Sequence, residues 1–82
     1  MVTIHARERY DNYGIRYLTY RVNRKRVTEI QFPVDALSLK PVYRCIIGGC
    51  CFDYNSMQDA ISRTEKYLNL IYFGNIEIKY HD

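Results

Sequence analysis

Tryptophan is missing from this chain of 82 residues, histidine and proline occur twice each, cysteine three times and glycine four times. Each scarcity excludes something. With so little glycine and proline, and with 48% of the residues hydrophobic and 26% charged, collagen-like repeats, low-complexity architecture and wholesale disorder are ruled out. The chain is expected to fold as one domain over residues 1–82, since a second core does not fit this length. A domain of this size buries only about 60–65% of its unfolded surface, so it gains from a partner.

Long apolar runs are also missing. The longest mostly apolar window, residues 67–73, is interrupted by Asn69 and falls far short of the roughly 20 residues a spanning helix needs. The first residues alternate in polarity and acquire charge at once, unlike a secretory signal. A cytoplasmic setting with no membrane contact is expected. Cys45, Cys50 and Cys51 are an odd number, which fits reduced thiols buried as small hydrophobes better than a disulfide framework. Their spacing lacks the C-x2-C knuckle of zinc sites, and His5 and His81 stand at opposite chain ends. Neither a metal nor a cofactor is expected. With no G-x-S-x-G elbow, no P-loop and no H-E-x-x-H, the chain reads as non-enzymatic.

What is present begins with Gly48-Gly49, two glycines able to supply the positive backbone angles of a tight hairpin between β-prone flanks. Ile47 should then pair with Cys50. Tyr43, Cys45, Ile47, Cys50 and Phe52 fall on one face, while Arg44, Ile46 and Cys51 take the other. Residues 15–22 and 27–34 form a second expected hairpin around the polar connector 23–26, with Pro33 near a strand end. Val2, Ile4 and Ala6 alternate with Thr3, His5 and Arg7 as an added edge strand, and residues 35–40 read as a loop.

Beyond the glycine hairpin the period changes. Met57, Ala60, Ile61, Thr64, Leu68 and Ile71 recur at helical spacing, which predicts an amphipathic helix over about 56–72, capped by Asn55 or Ser56 and ended by Gly74. Ile76, Ile78 and Tyr80 then alternate as a last strand. The expected fold is α+β: a single two-layer domain whose mainly antiparallel sheet of four to six short strands carries one helix.

The net charge of +3 is unevenly spread, because residues 1–44 hold nine Lys+Arg against four Asp+Glu, whereas residues 45–82 hold three against five. The basic half centres on Arg21, Arg24, Lys25 and Arg26, with Arg16 just upstream. Arginines at a hairpin tip can meet phosphate or fork onto guanine, and a β-ribbon can enter a major groove, although a solvated turn has the same composition. Nine tyrosines are a surplus, and Tyr13, Tyr17 and Tyr20 crowd the segment leading to the basic tip. Such residues supply contact area at interfaces or stack on bases; alternate ones can instead line a sheet.

The strand pair, Gly48-Gly49, Phe52-Asp53 and the capped helix carrying Met57, Asp59, Ala60 and Tyr67-Leu68-Asn69 resemble a pattern common in small phage and mobile-element proteins. A meander followed by one helix is similar to AP2-type DNA-binding domains of integrases and looks like several compact anti-CRISPR proteins. The resemblance implies a non-enzymatic inhibitor that occludes a nucleic-acid-handling host complex. In that reading Tyr13, Tyr17 and Tyr20 give contact area, and Arg16, Arg21, Arg24, Lys25 and Arg26 steer the encounter. A direct DNA- or RNA-binding domain using the same hairpin is the alternative. A third reading is a homo-oligomeric structural subunit, in which a second copy covers Tyr67, Leu70 and Tyr72.

Overall fold

Two tight turns fix most of the sheet. Gly48 and Gly49 both adopt positive φ, 57° and 84°. They join strand β4 (Tyr43–Ile47) to strand β5 (Cys50–Tyr54), with Ile47 opposite Cys50 as expected. The same geometry recurs at Asn23 and Arg24, with φ of 51° and 68°. The polar connector is therefore shorter than its composition suggested: β2 (Arg16–Val22) meets β3 (Lys25–Gln31) with Val22 opposite Lys25, so Lys25 and Arg26 are strand residues. Primed turns match the right-handed twist of the flanking strands, and Asn23 tolerates the left-handed region that Arg24 occupies at a cost.

The computed structural model describes residues 1–81 apart from residue 35. Its six-stranded sheet has the order β5-β4-β3-β2-β1-β6, where β1 is Val2–Tyr10 and β6 is Ile76–His81. The first strand is not an edge, as its position in the sequence suggested. It pairs antiparallel with β2 and parallel with β6, from Val2 opposite Ile76 to Arg7 opposite His81, which makes the sheet mixed. Between β3 and β4 the chain leaves the sheet, held by a bridge between Val34 and Pro41. Asp35, assigned from sequence to that loop, lies outside the described residues.

The mixed topology follows from helix α1 (Met57–Ile71), which carries the chain from one sheet edge to the other. Fifteen residues rise about 22 Å, close to the roughly 24 Å spanned by five strand spacings. Ser56 caps the helix, its hydroxyl accepting the Asp59 N–H at 3.1 Å. At the other end Phe73 and Gly74 turn left-handed, and Gly74 N–H donates to the Asn69 carbonyl at 2.7 Å. Among the described residues, no helix is long and apolar enough to cross a membrane.

One sheet face is covered. Ile4, Ala6, Leu18, Tyr20, Ile30, Cys45 and Ile47 meet Ala60, Thr64 and Leu68, three helix positions four apart. Ile71, expected on that stripe, is instead exposed, and Tyr67 and Tyr72 pack half-buried against their own core. Ala6 opposite Tyr20 leaves room for a fully buried ring. Tyr20 meets Tyr80 edge-on at 6.0 Å, their hydroxyls 3.0 Å apart, and Tyr80 donates to Glu65 Oε1 at 2.7 Å. Desolvation pushes the Tyr20 hydroxyl up to about 12 and raises Tyr80 further.

The thiols are divided. Cys45 is buried as expected, donates to the Ala60 carbonyl at 3.2 Å and receives the Thr64 hydroxyl at 3.5 Å; burial raises its pKa. Cys50 and Cys51, also expected inside, are exposed. They sit on the edge strand β5, where even Phe52 is 41% exposed.

Candidate binding face

Because α1 covers one side of the sheet, strand alternation sends the other side chains to an open face. On β1 these are Thr3, His5, Arg7 and Arg9; on β2, Tyr17, Thr19 and Arg21. The register places His5 opposite Arg21, Arg7 opposite Thr19 and Arg9 opposite Tyr17. On the other flank of β1, His5 meets Lys79 and Arg7 meets His81.

The two halves of this face differ in charge pairing. Toward β3–β5, Arg44 binds Asp53 through two hydrogen bonds, at 2.8 and 3.1 Å, and Arg26 reaches Glu29 at 2.7 Å. The Arg44 guanidinium holds the Asp53 carboxyl below its ordinary range, and Arg44 is raised in turn. Toward β1 and β2, Arg7, Arg9, Arg21 and Arg24 have no carboxylate within salt-bridge distance among the described residues. Residues i and i+2 on a strand stand about 6.7 Å apart, a repulsion of roughly 0.6 kcal/mol between Arg7 and Arg9 even at the dielectric of water.

His5, Arg7, Arg9, Arg21 and Arg24 line a shallow depression of about 330 Å³. Arg21 is half-buried there, with one weak bond of 3.4 Å from its guanidinium to the Arg24 carbonyl, while its Nε is buried without a partner. An orphaned donor of this kind costs about 1–3 kcal/mol, more when charged, unless something accepts from it. Beside the depression, His5 Nδ1 and His81 Nε2 lie 2.8 Å apart with the rings stacked at 5.0 Å. One nitrogen must donate and the other accept.

Comparison of the chain with protein-family models, curated proteins and solved structures finds no match. The face must be read from its own chemistry. Of the residues expected to bind, Arg21 and Arg24 enter the cluster, and Tyr17 stands half-buried beside Arg9. The others disperse. Arg26 is spent on Glu29, and Lys25 is exposed in β3 outside the depression. Arg16 lies at the opposite end of β2, paired with Glu8 at 2.5 Å and placed 5.3 Å over the Phe32 ring. Tyr13 is 90% exposed in the β1–β2 turn, six residues and about 20 Å before Thr19 along the chain. Tyr20 is 0% exposed and offers no contact area to a partner.

His5, Arg7 and Arg9 were not gathered into this cluster by sequence proximity, although their period-2 alternation with Ile4 and Ala6 is visible in the sequence. The expected mode of groove entry also changes. A β-ribbon can enter a major groove about 12 Å wide, but β2 and β3 are interior strands of a sheet roughly 24 Å across. The arrangement instead presents guanidinium donors across a broad surface.

Proposed function

We propose that the chain is a small non-enzymatic binding protein, of phage or mobile-element type, that occludes a nucleic-acid-handling host complex as anti-CRISPR proteins do. Its contact is the open sheet face, led by the cationic half on β1 and β2. The observation that carries this reading is the cluster of Arg7, Arg9, Arg21 and Arg24, which no carboxylate among the described residues neutralises.

Unpaired like charges on a half-built surface destabilise the free protein and are matched when an anionic partner docks. The size of the surface favours a macromolecule over a small ligand. Six strands by about seven residues give a footprint on the order of 500 Å², approaching the roughly 800 Å² that one partner contributes to a standard interface.

The test is an affinity pull-down of the tagged chain from a lysate bearing a CRISPR effector, paired with an interference assay. Recovery of effector subunits by the native protein, loss of recovery with Arg7→Glu/Arg21→Glu, and relief of interference only by the native form are expected. If the native chain recovers no effector subunit and leaves interference unchanged, the occlusion reading is wrong.

A further inference from the structure

We infer that the depression between β1, β2 and the Asn23-Arg24 turn is a phosphate-binding subsite, and that the open face engages the phosphodiester backbone of the nucleic acid held by its target rather than acidic protein side chains. The inference rests on the proposal that this half-face is the contact surface and names what it touches.

Three features favour phosphate over carboxylate. First, guanidinium groups approach from two strands and a turn: Arg7 and Arg9 from β1, Arg21 from β2 and Arg24 from the turn. A carboxylate is planar and is satisfied by one fork of donors, as Asp53 is by Arg44 on this same sheet. A phosphodiester presents oxygens in several directions and can accept from more than one guanidinium at once.

Second, the spacing is repetitive. Arg7 and Arg9 follow each other along β1, with Arg21 across from His5 one position further on. This gives a row of cations rather than a single point, suited to an anion that repeats along a chain. Third, Arg21 is half-buried at the depression and its guanidinium makes one weak bond, to the Arg24 carbonyl, so this cation is already partly desolvated before any ligand arrives. Base-specific contacts are not implied. The aromatic groups of β1 and β2 on this face are Tyr17, which is half-buried, and His5, whose ring is already stacked on His81, so recognition is of backbone charge and not of sequence.

The test uses the intact, isotopically labelled chain and three probes: inorganic phosphate, a 12-nucleotide mixed-sequence RNA and a poly-glutamate peptide. Phosphate should shift the Arg21 Nε–H resonance and the backbone amides of residues 5–9. The RNA should bind with log K falling against log salt at a slope of about −2 to −3, as about three or four contacts to a single strand require. Arg7→Gln/Arg9→Gln, both exposed and safe for folding, should weaken RNA binding at least tenfold and flatten the slope by about one to two units. Arg16→Gln, paired elsewhere, should change neither.

Silence of Arg21 to phosphate, equal affinity for RNA and poly-glutamate, or equal losses from Arg16→Gln and Arg7→Gln/Arg9→Gln would each overturn the inference. The two proposals fail separately. RNA binding without recovery of any effector complex sinks occlusion and keeps the subsite; recovery of the complex after nuclease treatment, with no response to phosphate, does the reverse.

Discussion

The two halves of the open sheet face are built from similar residues and reach opposite electrostatic ends. On β3–β5 each arginine has an acidic neighbour placed by register or by local spacing: Asp53 sits directly across from Arg44, and Glu29 stands three residues after Arg26. On β1 and β2 the register sets none of the open-face arginines across from a carboxylate: Arg7 lies between Thr19 and His81, Arg9 across from Tyr17, and Arg21 between His5 and Arg26, while Glu77 of β6 stands opposite Thr3 and pairs with Lys79. A paired half contributes modestly to folding and offers little to a partner. An unpaired half costs stability in the free protein, and that cost is recovered only on binding.

The largest expected effect breaks the comparison at its functional end. Arg7→Ala/Arg9→Ala/Arg21→Ala should reduce affinity for a polyanion by about a hundredfold or more at moderate ionic strength, since roughly three charge contacts are lost. Arg26→Ala/Arg44→Ala should reduce it no more than about threefold, an effect of long-range charge alone. Fluorescence anisotropy against one labelled oligonucleotide decides this. Equal losses from the two sets would show that net charge, and not its pairing, controls binding.

A second experiment sets the covered face against the open one. Tyr20, Tyr80 and Glu65 form a hydrogen-bonded chain that runs from the buried sheet face out to the exposed flank of the helix, and burial lifts the Tyr20 hydroxyl from 10.0 to about 12. The folded-state value is the higher one, so the stabilisation is fully present below pH 10 and is lost as pH rises toward 12. The loss over that window should be about 2 kcal/mol. Urea midpoints measured from pH 8 to pH 12 should fall steeply for the native chain and less for Tyr20→Phe, while Arg9→Gln on the open face should leave the alkaline slope alone.

How far the sequence reveals these features depends on whether they are local. The Gly48-Gly49 turn and its register, the helix with its Ser56 cap and the last strand are all set within a few residues, so propensity and period expose them. The interior position of β1 is not local. It follows from the length of a helix that begins more than 50 residues later and delivers β6 parallel to β1 at the far side. The arginine cluster has the same character: Arg7 and Arg21 are 14 positions apart and meet only once β1 and β2 are paired. A reading of sequence neighbours gathers Arg21, Arg24, Lys25 and Arg26 instead, and the two-residue turn then separates them. Tyr20 misleads for a related reason, since composition shows a surplus of tyrosine but register decides which one is buried.

That turn offers a smaller test. Arg24 holds a φ of 68°, where a Cβ is unfavourable, and glycine there would complete the Asn-Gly pair that such turns prefer. Arg24→Gly should raise stability by about 1 kcal/mol through relief of this strain. Because Arg24 also lines the depression, the same substitution should weaken polyanion binding. Urea denaturation and anisotropy on one preparation would read both, and a gain in stability with unchanged binding would remove Arg24 from the site.

The smallest effect compares the halves by sign. Arg9 has no acidic partner among the described residues, so Arg9→Gln relieves repulsion and should raise stability by about 0.5 kcal/mol at low ionic strength, a gain that fades near 0.5 M salt as screening takes over. Arg44→Gln should act the other way, removing the fork that holds Asp53. Asp53 has a folded-state pKa below its ordinary 3.8, so the stabilisation is present above that value and disappears as pH falls through the depressed range. The native chain should therefore lose this contribution on acidification, and Arg44→Gln, already without it, should show a shallower acid limb. Opposite signs for the two glutamine variants at neutral pH would establish that pairing distinguishes the halves; the same sign would mean that both arginines answer only to the field of the whole sheet.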